Sequence, residues 1–227
     1  MNNFLSLLQF TDGLFPAGAY AHSFGLEYLV QSGEISGATE VEDFLRAYLE
    51  GAVAPADAVA MLCAWRAAKA KDLAACLALD ETLDAMKTAS ELRDASRQMG
   101  RQTLRVANHL PCDGLLADFA EKVGNNLTPG HHPVIFGMIG GVLAWPAMEM
   151  VAAYFYSTSA ALVGAALRLL PLGQLAGQRI LWNVQPLIAE LAEETQDKTD
   201  SDMWTFAPTL EIASMCHAML DARLFRS

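Results

Sequence analysis

Cysteine is scarce and scattered in this chain. Its 227 residues hold four, Cys63, Cys76, Cys112 and Cys216, with no CxxC pair among them. That excludes a disulfide framework and a thiolate zinc module, and the thiols read as reduced and mostly buried. Basic residues are also few. Lys plus Arg total 15 against 26 Asp plus Glu, a formal charge of −11. Such a surface repels phosphate backbones and anionic headgroups, which argues against nucleic acid and membranes as partners. The first residues, MNNFLSLLQFTDG, lack a basic n-region, so no secretory signal is read there and the expected compartment is the cytoplasm.

Catalytic motifs are missing as well. No GxxxxGK[ST] loop occurs, and the one glycine-rich candidate, Gly173 to Gln178, lacks the lysine a phosphate cradle needs. There is no GxSxG elbow and no HExxH helix. His22 and Ser23 are adjacent, so on a helix they point about 100° apart, and no third member is identifiable. We therefore expect no enzyme and no resident cofactor. The pairs His131–His132 and Cys216–His217 carry donors suited to nickel or zinc. Neighbours on a helix do not chelate one ion easily, so we assign no metal ligand. His131 and His132 instead read as groups around a helix start, where a side chain can cap or hydrogen-bond.

What the chain has is helical punctuation. β-Alternation and hairpin signals are absent, and the fold class is all-α: a single-domain bundle of roughly nine or ten helices. Thr39-x-x-Glu42 and Thr88-x-x-Glu91 fit capping boxes. Val41, Phe44, Leu45, Tyr48 and Leu49 follow as one apolar stripe, which Pro55 should end. Pro111 and Gly114 mark a later break. His131-His132-Pro133 opens a helix, and Gly137 and Gly141 bare one of its faces for close approach by another. Met150 to Leu167 is uncharged, which raises a membrane span, yet it is poor in large apolar residues and reads as part of a buried central helix pair. Further helices should cover about Gln174 to Glu194 and Pro208 to Asp221. The domain is read as 1–227, with a mobile acidic loop near 193–202 and a partner-docking tail at 222–227.

Two features suggest contact surface. Arg93, Arg97, Arg101 and Arg105 recur every four residues, a winding basic stripe that fits either a face paired with Glu91 and Asp94 or a site for an acidic partner. The tail Ala222-Arg223-Leu224-Phe225-Arg226-Ser227 joins aromatic, aliphatic and guanidinium groups. Burying Phe225 would contribute about 1.5–3 kcal/mol, enough to dock the tail on its own body or on a partner. We expect the helices to survive without the tail.

Four blocks together resemble the UreF family of urease accessory proteins. The first runs from Leu7 to Glu27 and includes Phe15-Pro16-Ala17-Gly18-Ala19-Tyr20-Ala21-His22-Ser23-Phe24-Gly25-Leu26-Glu27. The second is Ala95 to Arg101. The third is His132 to Gly137, with Tyr154-Phe155-Tyr156-Ser157 and Leu170 to Gln178. The fourth is Ala213-Ser214-Met215-x-His217 with the tail Arg223 to Ser227. The chain departs from the family pattern at Ala17, Ala19, Cys216, Ala218, Asp221 and Ala222.

The resemblance implies an all-α, often dimeric protein that binds UreD (UreH in some organisms). It recruits the GTPase UreG to apo-urease, where GTP hydrolysis is coupled to nickel delivery. It further implies Tyr20, His22, Ser23 and Glu27 as a partner-facing or route-lining patch, supported by Arg97, Arg101, Gln174 and Gln178. Arg223, Phe225 and Arg226 would dock against UreD. The alternative is a helical protein-interaction adaptor of an unrelated pathway.

Overall fold

A computed structural model describes residues 3–110 and 114–227, so Pro111 and Cys112 lie outside the described residues. Ten helices form one all-α domain among those residues. They are α1 (Asn3–Thr11), α2 (Leu26–Gln31), α3 (Ala38–Lys69), α4 (Leu73–Met86), α5 (Ser90–Ala107), α6 (Gly114–Gly124), α7 (His132–Val142), α8 (Ala147–Leu169), α9 (Gln174–Thr195) and α10 (Pro208–His217).

The centre is the contact between the second half of α3 and α7, and the two expected glycines create it. A Cβ on Gly137 would collide with the Met61 carbonyl, and one on Gly141 would stand 2.6 Å from the Trp65 carbonyl. With only hydrogen there, the backbones approach and Ile135, Phe136, Met138 and Ile139 become fully enclosed. Trp145 closes one end. Its indole donates to Ser6 Oγ at 2.8 Å, and its carbonyl accepts from Trp65 Nε1 at 3.0 Å. On another side α9 lies along α8 and is tied to α3 by Arg46 and Asn183, which share Glu42.

Pro55 does not end its helix. The chain passes through it in a π-helical stretch, Leu49–Ala58. Proline lacks the N–H that would use the Gly51 carbonyl, and the wider turn relieves the ring clash. Residues after α9 take up the freed acceptors: Phe206 N–H donates to Gly51 at 2.9 Å and Trp204 N–H to Pro55 at 3.2 Å. A helix break was expected where a neighbouring loop supplies the missing donors.

Neither expected capping box forms. Gly37 and Ala89 hold the cap positions without side-chain bonds. Tertiary partners outbid the local motif, since Glu42 serves Arg46 and Asn183 while Thr88 donates to Glu211 at 2.7 Å. The acidic stretch also differs from its expected bounds, because α9 runs on to Thr195 and a capping box joins Thr199 to Asp202. Arg66 donates to the Gln196 and Lys198 carbonyls, fastening this segment to α3. α10 stops at His217, short of Asp221.

Cys76 is buried, and burial pushes its thiol up to about 12, whereas Cys63 and Cys216 are half-buried. Two helices, α3 and α8, are long and apolar enough to cross a membrane, and the relevant windows are 72% and 50% buried within the fold.

Candidate functional site

The motif after α1 and the last six residues, far apart in sequence, are tied into one knot. Gly18 at φ 90° turns the chain into a single 3-10 turn, Ala19–Ala21. Phe24 at φ 53° and Gly25 at φ 86° then make a second reversal into α2. A Cβ at Gly25 would sit 3.0 Å from the Ser214 amide and in a backbone region costly for L-residues, so glycine is required twice over. Phe24 holds the same left-handed region with a side chain, which costs on the order of 1–2 kcal/mol. The tail keeps it there: the Ser227 carbonyl accepts the Phe24 amide at 3.1 Å and the Ser23 hydroxyl at 2.8 Å.

Glu27 is the hub. It is 2% exposed and accepts the Leu224 amide at 2.7 Å, the Phe225 amide at 3.0 Å and His217 Nε2 at 2.9 Å. The other ring nitrogen of His217 faces Glu91 at 2.7 Å, and Glu91 in turn holds Arg223 at 3.0 Å. Both nitrogens of this imidazole face carboxylate oxygens. Burial pushes the Glu27 carboxyl up. The donors from Leu224, His217 and Phe225 outweigh it and hold the group below its ordinary value. A chain of polar contacts, Glu27–His217–Glu91–Arg223, thus joins α2, α10, α5 and the tail.

His22 is also buried here, its Nδ1 2.8 Å from Ser227 Oγ. Burial, helped by the positive Arg226, lowers it to about 4, so it is neutral at pH 7. Phe225 is 4% exposed. The Arg168 guanidinium lies 3.7 Å from the Tyr20 ring centre and 4.2 Å from that of Phe225, and donates to the Tyr20 carbonyl at 2.8 Å. This cation clamps tail to motif through two aromatic faces. The tail is therefore packed on its own body.

The structure thus brings Tyr20, His22, Ser23, Glu27, Arg223, Phe225 and Arg226 together. It leaves four other candidates outside the knot. Arg97 pairs with Asp84 at 2.6 Å, and Arg101 donates to the Pro129 carbonyl at 3.0 Å, both at the junction of α4, α5 and α7. Gln174 and Gln178 are exposed on the first turns of α9. Sequence reasoning did not single out Arg168, Glu91 or His217 as parts of this site. Arg168 had a signal, being a solitary charge at the end of a long uncharged run. Glu91 had a misleading one, since its capping-box spacing hid a long-range role.

The junction near Arg97 has its own polar centre. Asp80 is fully buried and accepts the Thr128 hydroxyl, the Gly130 amide and the His131 amide at 2.6–2.7 Å. The His131 ring spans Ser96 Oγ at 3.0 Å and Asp84 at 2.8 Å. Burial, with the positive Lys87 nearby, lowers His131 to about 4. A neutral ring suits this setting, donating to Asp84 and accepting from the serine. Among the described residues no group of three or more His, Cys, Asp or Glu side chains is arranged to hold a metal ion.

The family model for UreF matches residues 35–185. A protein of Lachnoclostridium phytofermentans named urease accessory protein UreF is 33% identical over 228 residues, covering the full length of both chains. Proteins of the same name from Bacillus sp. strain TB-90 and Nostoc sp. are 31% and 32% identical, covering all of this chain and 100% and 96% of their own lengths.

Proposed function

Because the chain belongs to the UreF family of urease accessory proteins, an accessory factor in urease maturation rather than an enzyme, we propose that it works by holding other proteins in register. In this reading it bridges UreD (UreH) and the GTPase UreG on apo-urease during nickel insertion, in the cytoplasm, and modulates the GTPase it recruits. The observation that carries the reading is the knot itself. The entry motif and tail, the two blocks of the resemblance farthest apart in sequence, form one surface whose buried polar groups tie the two segments together.

That surface offers a place to dock. Tyr20 and Leu224 are exposed at the knot, and Ile212, Met215 and Met219 form an exposed apolar row on and just beyond α10. Large apolar groups left in water at one place favour a protein partner. We assign this row and the exposed Arg223, Leu224 and Arg226 to UreD, whereas Phe225 is buried against the chain's own body. Arg101 and Arg105 on α5 are the basic groups proposed to meet UreG. A homodimer completes the proposed assembly, with exposed Leu175 and Trp182 on α9 available to it.

Co-purification tests the bridge. The intact chain should retain both UreD and UreG, whereas an adaptor of an unrelated pathway retains neither. Met215→Asp with Met219→Asp, both at exposed positions, should leave the circular dichroism spectrum unchanged and abolish UreD retention. Retained UreD would remove the α10 row from the proposal.

A further inference from the structure

Next to the knot is a cavity of about 420 Å³, walled by the loop after α1, the π-helical stretch of α3, α5, α8 and the start of α10. Six phenylalanine and tyrosine rings line it, Phe10, Phe15, Tyr20, Phe24, Tyr48 and Tyr154, with the His132 imidazole beside them. Its charged lining groups are Asp12, Asp57, Glu211 and Lys87. Lys87 Nζ lies 2.7 Å from Asp57, so these two cancel. Asp12 accepts the Leu14 amide and Glu211 the Thr88 hydroxyl, both at 2.7 Å. Neither carboxylate has an ion-pair partner among the described residues. The neighbouring Arg168 guanidinium lies over the Tyr20 and Phe225 rings, so it takes up the Tyr20 face and offsets part of this negative charge.

The walls therefore carry two carboxylates without an ion-pair partner and several ring faces, whose quadrupoles also attract positive charge. A bare metal ion does not suit them. No convergent ligand set is present among the described residues, and the walls are mostly hydrocarbon. An organic cation matches both parts, its alkyl stem against the rings and its charged head towards Glu211. We infer that this cavity is a binding site for a primary alkylammonium group. Two sources carry that chemistry, a free small amine and the lysine side chain of a partner protein.

Calorimetric titration of the full chain with n-butylammonium chloride tests the site, with n-butanol as the neutral probe of similar shape. Butylammonium should bind saturably and about tenfold more tightly than butanol, an effect of the size expected for a partly desolvated cation on aromatic faces and a carboxylate. Glu211→Gln should weaken it several-fold. Gly164→Leu supplies a variant that keeps the fold, since a Cβ at Gly164 meets nothing within 4 Å. Gly164 lines the cavity, and a leucine there should block binding with an unchanged circular dichroism spectrum.

Equal affinity for butanol, or binding undiminished in Gly164→Leu, overturns the assignment. Nα-acetyl-lysine methylamide distinguishes the sources: tighter binding than butylammonium assigns the site to a protein side chain, and weaker binding to a free amine.

Discussion

Glu27 and Asp80 are both buried carboxylates that accept two backbone amides each, yet the protein treats them in opposite ways. Glu27 is held below its ordinary value, whereas Asp80 is raised. For Asp80 burial dominates; Thr128 and the Gly130 and His131 amides pull back only part of it, and nearby Asp84 adds repulsion. Glu27 is also pushed up by burial, but the Leu224 amide, the His217 ring at 2.9 Å and the Phe225 amide more than offset it. The difference lies in the balance of burial against donors, with Asp84 adding repulsion at Asp80 alone. It gives the two regions different tasks. The Asp80 junction shapes a loop into α7, while the Glu27 knot holds chain segments nearly 200 residues apart through charge.

Removing the charge should break the comparison first at Glu27. Glu27→Gln leaves His217 with a single carboxylate partner and sets an amide donor against two backbone donors. Loss of one partner from such a buried pair costs about 3–5 kcal/mol, read as a lower urea midpoint. Asp80→Asn keeps acceptors for most of its donors and should cost less, about 1–3 kcal/mol.

Acid separates the two further. The lowered Glu27 contributes stability that is present above pH 4.5 and is lost as pH falls through its folded value, so the advantage of wild type over Glu27→Gln should shrink in acid. The raised Asp80 has the opposite sign, and the advantage over Asp80→Asn should grow as pH falls. Parallel pH curves for the two variants would remove that balance as the cause.

The sequence announced the architecture more clearly than the site. Proline, glycine and apolar spacing are local signals, so the α7 start at His131 and the close approach at Gly137 were legible. Pro55 misled because the donors that rescue its helix, Trp204 and Phe206, lie about 150 residues away. The same distance hid the knot. Nothing near Glu91 in sequence indicates that its oxygens meet His217 and Arg223, and the capping-box spacing pointed elsewhere. Family resemblance picked out both ends of the knot but not their mutual contact. It also grouped Arg97 and Arg101 with a patch from which the structure separates them.

The smallest effect concerns histidine and sharpens the contrast at its edge. His217 sits between two carboxylates, but His22, His131 and His132 are each lowered to about 4, in every case mainly by burial. Between pH 6.5 and 4 the unfolded chain protonates these three rings and the folded chain does not. Stability must therefore fall as pH falls through that window, by about 1.4 kcal/mol per pH unit for each proton fully withheld. His131→Asn removes one of the three protons and places a good capping residue at the start of α7. Its absolute stability will drop through the lost Asp84 and Ser96 contacts, but the slope should flatten by roughly a third. Denaturant midpoints at pH 7, 6 and 5 measure that slope directly. A variant that tracks wild type in parallel would mean that His131 is protonated alongside Asp84 in the folded chain.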